Sequence, residues 1–205
     1  QAFTRKIIHI GAGMWMWGIL ALFDTWSIGI IPFATFIVLN YVFYRFQIFK
    51  AMDAVDSSPG TVYFAISITV LFALLWRTGG ALDRVPIAAA AVMAMTWGDG
   101  LASIIGQKYG QHIYTTFGHK RSREGSIAMA VATFVVILLT LAWLPGSALS
   151  SNSVALPFWG VLLLTVIGTA VATAAETFSP AGTDNLSVPL LTGLVLFVLN
   201  ALLGG

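Results

Sequence analysis

Val85-Pro-Ile-Ala-Ala-Ala-Ala-Val-Met-Ala-Met-Thr-Trp-Gly-Asp-Gly-Leu-Ala-Ser-Ile-Ile-Gly106 is apolar along its length except for one ionisable side chain, Asp99. About 20 apolar residues are enough for a helix to cross a bilayer. A carboxylate within such a span costs roughly 2.5–3.5 kcal/mol on insertion scales, so a functional role is its default reading. Gly98, Ala102 and Gly106 recur every four residues, as do Asp99 and Ser103, which sets a small face beside a polar one. Small faces predict close helix contacts, within or between chains. Packing accounts for the glycines but not for the acid. A metal-ligand role suits Asp99 better than a general-base role, because phosphoryl transfer depends above all on charge neutralisation.

The composition agrees with a membrane setting. Of 205 residues, 58% are hydrophobic and 9% charged, whereas soluble domains carry about 25% charged residues. Mean hydropathy is +0.90. Seven apolar segments follow one another: Ile7–Phe23, Trp26–Phe43, Thr61–Trp76, Val85–Gly106, Ser126–Leu144, Val154–Ala175 and Ser187–Leu203. They predict an all-α polytopic membrane bundle of about seven transmembrane helices, with residues 1–205 forming a single integral domain. The tryptophans, mostly near segment ends, read as an interfacial belt. There is no fixed-period repeat and no inverted-repeat signature of a transporter. Without cysteine, disulfides, thiolate metal sites and cysteine catalysis are excluded. Ten cations do not make a nucleic-acid footprint, despite a pI near 9.1. The start at Gln1, without Met or a signal-peptide pattern, predicts that the chain begins within a longer, N-terminally truncated product.

Lysine and arginine set the orientation. With seven spans, Arg5, Lys6, Arg45, Lys50, Lys108, Lys120, Arg121 and Arg123 fall on one side, and Arg77 and Arg84 on the other. Positive charge prefers the cytoplasm, so the N-terminus and the polar loops are predicted to face it.

Three groups of polar residues then share that face. Arg5 and His9 lie four apart on one helix face with Lys6 beside them, a pattern suited to a lipid headgroup or phosphate. The hydrophilic loop Gln107–Glu124 ends in His119-Lys-Arg-Ser-Arg-Glu-Gly125, directly before a helix expected near Ser126. Cations ahead of a helix N-terminus form a phosphate cradle, with Lys120, Arg121, Ser122, Arg123, Gly125 and Ser126 as its candidates. His112 and His119 read as solvated loop histidines. In the turn Glu176–Pro189, Glu176 needs a partner such as Lys120 or magnesium. Asp184 and Asn185 face the mouth near Asp99 if the bundle closes. Ser187 is expected to cap the last helix, with Pro189 in its first turn. Neither a P-loop nor a complete GxGxxG is present.

These residues in this order resemble the phytol/dolichol kinase family: Arg5-Lys-x-x-His9, Gly98-Asp-Gly-x-Ala102 with Gly106 and Gly110, Lys120-x-Ser-x-Glu-Gly-Ser126, and Glu176 with Asp184-Asn-Leu-x-Val-Pro189. Its members are CTP-dependent membrane kinases of isoprenoid alcohols within the wider phosphatidate cytidylyltransferase superfamily. The likeness covers nearly the whole chain. An extra arginine in the basic run leaves the register of Lys120 open. The Lys-Arg, Lys-Asp, His-Gly-Gly and Asp-Arg elements of phosphatidate cytidylyltransferases are missing.

The resemblance implies transfer of the γ-phosphate of CTP to a lipid alcohol such as phytol, geranylgeraniol or a polyprenol. Magnesium would be held by Asp99 and Asp184, with Glu176 and Asn185 as further candidates. Lys120, Arg121 and Arg123 would hold the phosphates, while Arg5, Lys6 and His9 would orient the hydroxyl. Asp99, Asp184, Lys120 and His9 are thus the expected catalytic set. The nearest alternative is a CTP:phosphatidate cytidylyltransferase. A non-enzymatic transporter would need polar residues along several helices.

Overall fold

The computed structural model describes residues 2–48, 59–77, 83–180 and 182–204, with residues 2–5 as backbone only. Lys50, counted above for orientation, lies outside the described residues. Among these, seven helices alternate in direction: α1 (Ala2–Leu22), α2 (Trp26–Phe46), α3 (Gly60–Leu75), α4 (Val85–Tyr109), α5 (Arg123–Trp143), α6 (Phe158–Phe178) and α7 (Asp184–Leu202). Five are long and apolar enough to cross a membrane, and α1 and α3 carry shorter apolar stretches. The chain is an all-α membrane helix bundle.

Helix α4 is the axle. A helix apolar on every side belongs in a core, and Val85 to Met95 are almost wholly enclosed, with Ala88–Ala91 at 0% exposure. The alanine methyls let α1, α3, α5 and α7 approach it closely. The outer helices turn Ile28, Ile31 and Val38 of α2, and Val131, Val135 and Leu139 of α5, outward. That is the arrangement a hydrocarbon solvent permits.

The small face of α4 does pack as its spacing predicts. A Cβ on Gly98 would lie 2.6 Å from Met129 Sδ of α5, and one on Gly125 would lie 2.9 Å from the Ala102 carbonyl oxygen.

Four local features depart from the sequence reading. First, α4 is not regular: Ala94–Asp99 form a π turn between α-helical halves, a feature common at functional sites and without a sequence signature. Second, the loop Gln107–Glu124 holds a hairpin. Strand β1 (Ile113–Thr116) pairs antiparallel with β2 (His119–Ser122), and α5 starts at Arg123 rather than Ser126. The two turn residues, Phe117 (φ 48°) and Gly118 (φ 80°), both have positive φ, as a type I′ turn demands. Third, α7 begins at Asp184, so Ser187 lies inside the helix and Pro189 sits well past its first turn. Proline has no N–H to give to the carbonyl four residues back, and the freed Asn185 oxygen accepts instead from Ser67 Oγ of α3, at 3.0 Å. Fourth, Trp76 is no belt residue. It is 3% exposed and packs edge-on against Phe72.

Candidate functional site

The start of α1, the lower half of α4, the hairpin, the start of α5, the end of α6 and the start of α7 meet at one end of the bundle. They enclose a cavity of about 640 Å³. Asp99 lies ten residues from the end of α4, about 15 Å along its axis, so the cavity reaches well into the helix layer.

On α1, Lys6 Nζ donates to Asp99 Oδ2 at 2.5 Å, and His9 Nε2 is 3.8 Å from the same oxygen. The His9 ring packs on Phe64 of α3, with centroids 4.5 Å apart. Asp99 itself is 6% exposed. Its charge acts on Asp184, and Lys6 and Arg121 offset both acids. The Arg5 side chain lies outside the described residues.

The hairpin delivers the basic run. Tyr114 Oη and Ser126 Oγ, 2.6 Å apart, tie β1 to α5. Ser122 Oγ accepts from the Gly125 N–H at 3.1 Å, capping α5. Alternation along β2 separates its cations: Lys120 is exposed at the rim, and Arg121 points inward. Arg121 forms an ion pair with Glu176 at the end of α6, stands 3.9 Å from Asp184 Oδ2, and donates to the Ser179 carbonyl at 3.2 Å. The partner of Glu176 is therefore Arg121, not Lys120. The first turn of α5 brings Gly125 and Ser126 to the cavity wall, with the N–H groups and positive dipole end that suit an anion.

Of the residues singled out in the sequence, Lys6, Asp99, Lys120, Arg121, Ser122, Gly125, Ser126, Glu176 and Asp184 line this cavity. Arg123 does not: it is exposed at the outer start of α5. His9 and Asn185 line a neighbouring groove instead, and Lys6 lines both. His112 is engaged outside the cavity, its Nδ1 2.6 Å from Glu124 Oε1. The three acids do not form a ready-made metal cage. Among the described residues, no three His, Asp or Glu side chains are grouped closely enough to hold an ion, and Glu176 is paired with Arg121. Asp99 and Asp184 remain as a pair. Sequence reasoning passed over Ser103 and Gln107 as cavity residues, although Ser103 shares the Asp99 face and Gln107 lies one turn further on.

Fold and site together define a polytopic membrane protein with a deep, charge-lined pocket suited to phosphate groups. The chain is 36% identical to a phytol kinase of Synechocystis sp. over 94% of its own length and 77% of that protein. It is 30% identical to a probable chloroplastic phytol kinase 2 of Oryza sativa subsp. japonica, over 95% of this chain and 65% of the other. It is 26% identical to a chloroplastic farnesol kinase of Arabidopsis thaliana, over 97% and 66%. The chain belongs to the phytol kinase family. It spans about two thirds of the plant relatives' length. No protein-family model matches it, and no solved structure matches it significantly.

Proposed function

We propose that this chain, acting as one domain, transfers the γ-phosphate of CTP to the hydroxyl of a membrane isoprenoid alcohol of the phytol or farnesol type. One observation carries the reading: acids and cations fit for a magnesium–polyphosphate share a cavity that adjoins an apolar groove through Lys6. The relatives' activities support the alcohol acceptor, and the family resemblance supports CTP.

Lys120, Arg121 and the N–H groups opening α5 hold the phosphates, and Glu176 keeps Arg121 aimed inward. Asp99 and Asp184 fit a magnesium ion, which at polyphosphate sites takes one or two carboxylates beside phosphate oxygens and water, and which supplies charge neutralisation. Lys6 and His9, with Arg5 nearby in sequence, position the alcohol. Its oxygen forms a bond to the γ-phosphorus as the bond from that phosphorus to the β–γ bridging oxygen breaks. CDP leaves, and the hydroxyl proton passes to His9. Positioning and electrostatics account for most of such a rate enhancement. Among the described residues, seven cations (Arg5, Lys6, Arg45, Lys108, Lys120, Arg121 and Arg123) belong to the cavity's side of the topology and two (Arg77 and Arg84) to the other, which supports a cytoplasmic cavity and N-terminus.

The test uses purified protein in detergent with magnesium, a panel of prenyl alcohols and phosphatidic acid. CTP carries label at either the γ- or the α-phosphate. Label from the γ-position in the prenyl product is the expected result. Label from the α-position, seen only with a lipid phosphate, would replace this reading with cytidylyl transfer.

A further inference from the structure

The groove that shares Lys6 with the charged cavity runs between α1, α2 and α3 and has a volume of about 300 Å³. Its walls are Ala12 of α1, Phe36 and Phe43 of α2, and Phe64 of α3. Lys6, His9, Asn40, Thr61 and Asn185 add polar groups to this otherwise apolar lining. Asn185 follows directly on Asp184, which lines the charged cavity, so the two spaces meet at the start of α7.

Asn185 carries the telling detail. The residue is 9% exposed, and its Nδ2 lies within reach of the Gly182 carbonyl and Asp184 Oδ1. Its Oδ1 is buried with no hydrogen-bond partner among the described residues. A buried acceptor left unpaired costs about 1–3 kcal/mol, and such a group in a native protein calls for an explanation. Asn40 is also buried, but its Nδ2 donates to the Phe36 carbonyl at 2.7 Å. Asn185 is thus the groove-lining residue that carries an unpaired acceptor, beside walls of largely apolar surface.

We propose that this groove seats the acceptor alcohol. The apolar tail lies among Phe36, Phe43 and Phe64. The hydroxyl reaches the seam at the start of α7, where Asn185 Oδ1 accepts its hydrogen bond in the bound state, before phosphoryl transfer hands the proton on to His9, while the oxygen faces Lys6 and the phosphate cavity. The proposal rests on the kinase reading and adds where the acceptor lies and which residue recognises its O–H. At the lower end of the roughly 300–1,000 Å³ common for small-molecule sites, the groove takes the head and first isoprene units. The remaining chain runs out between α1 and α2, which touch only sparsely. A larger apolar groove of about 480 Å³ between α5 and α6, lined by Phe134, Val166 and Ala170 among others, shares no lining residue with the charged cavity. It therefore serves as the internal control.

The experiment compares Ala12→Phe, which fills the proposed groove, with Ala170→Phe, which fills the control. Steady-state kinetics use farnesol and CTP. Ala12→Phe is expected to raise KM for farnesol about tenfold or more and to leave KM for CTP within about twofold, with Ala170→Phe changing neither. An unchanged farnesol KM in Ala12→Phe, or a raised one only in Ala170→Phe, would overturn the proposal. For the recognition step, farnesyl methyl ether lacks the O–H. Wild type should bind it about tenfold more weakly than farnesol, and Asn185→Ala should erase that preference; a preference that survives would remove Asn185 from the role. Should Ala12→Phe fail to fold, a diazirine-bearing farnesol on the wild-type chain decides the matter. Crosslinks on α1–α3 support the groove, and crosslinks on α5 and α6 overturn it. Crosslinking to α1–α3 by a protein that phosphorylates no alcohol would sink the kinase reading alone.

Discussion

Lys6 Nζ lies 2.5 Å from Asp99 Oδ2, joining the first helix of the chain to the π turn at the middle of the axle helix. The contact brings a cation to the acid that sequence reasoning could not explain by packing. It also fixes the end of α1 that borders both cavities.

Asp99→Asn keeps an acceptor for Lys6 while removing the charge. Turnover should fall roughly 100-fold or more, the scale of losing one preorganised electrostatic contact in a closed site. Extractable yield and melting temperature, followed by tryptophan fluorescence, should stay near wild type. Normal turnover in this variant would take Asp99 out of the reaction.

Arg121 and Lys120 are neighbours with different duties. Arg121→Ala strands the 6%-exposed Glu176, and breaking a buried pair from one side is strongly destabilising, about 3 kcal/mol here. The exposed Lys120→Ala should cost within about 0.5 kcal/mol of stability and act on nucleotide affinity. Thermal unfolding beside nucleotide binding separates the two. Equal melting temperatures would contradict the structural role assigned to Arg121.

Ser67 serves a carbonyl that Pro189 released. Ser67→Ala should cost about 1–3 kcal/mol by leaving the Asn185 oxygen unpaired in a buried setting. Pro189→Ala restores an N–H to the helix, so the double variant should recover much of that loss. Additive losses in a double-mutant cycle would show that the two sites are not linked through this oxygen.

At the opposite end, Asp83 is 2% exposed and accepts from the Val85 N–H at 3.2 Å. Burial raises its carboxyl above the ordinary 3.8, against the pull of the Val85 and Arg77 backbone contacts and the Arg84 charge. A raised native value means that its stabilisation is complete below about pH 3.8 and is lost as pH rises through the raised value. Asp83→Asn keeps the acceptor and removes the titration. Its stability relative to wild type should therefore grow as pH rises from 4 to 7. Melting curves across that range test the sign, and a gain that shrinks with pH would refute it.

The bundle was legible because lipid imposes long apolar runs: six of the seven expected segments lie almost wholly within observed helices, and the Val154–Ala175 segment begins four residues early, before Phe158. The cavity lining was legible where an ionisable residue had no apolar excuse, as with Asp99 and Glu176. What stayed hidden depends on contacts between distant residues. Polar content marked the hairpin as a loop, and its strand pairing went unread. Alternation on β2 decided that Arg121, not Lys120, meets Glu176. The groove of α1–α3 is made of phenylalanines that look the same in sequence as those facing lipid.

The π turn in α4 has a consequence for how this helix tolerates change in length. Six residues there occupy a wider coil than an α-helix allows. One extra residue rotates everything beyond it by about 100° relative to a regular helix of 3.6 residues per turn. The turn thus acts as a phase adjuster: the enclosed Ala88–Ala91 half and the half bearing Ser103 and Gln107 each keep their own heading. Deleting one residue between Ala94 and Asp99 would let the turn close into an ordinary helix with both halves still facing as they do, whereas a deletion within Ala88–Ala91 would swing the core-facing residues on one side of it by about 100° against the pocket half.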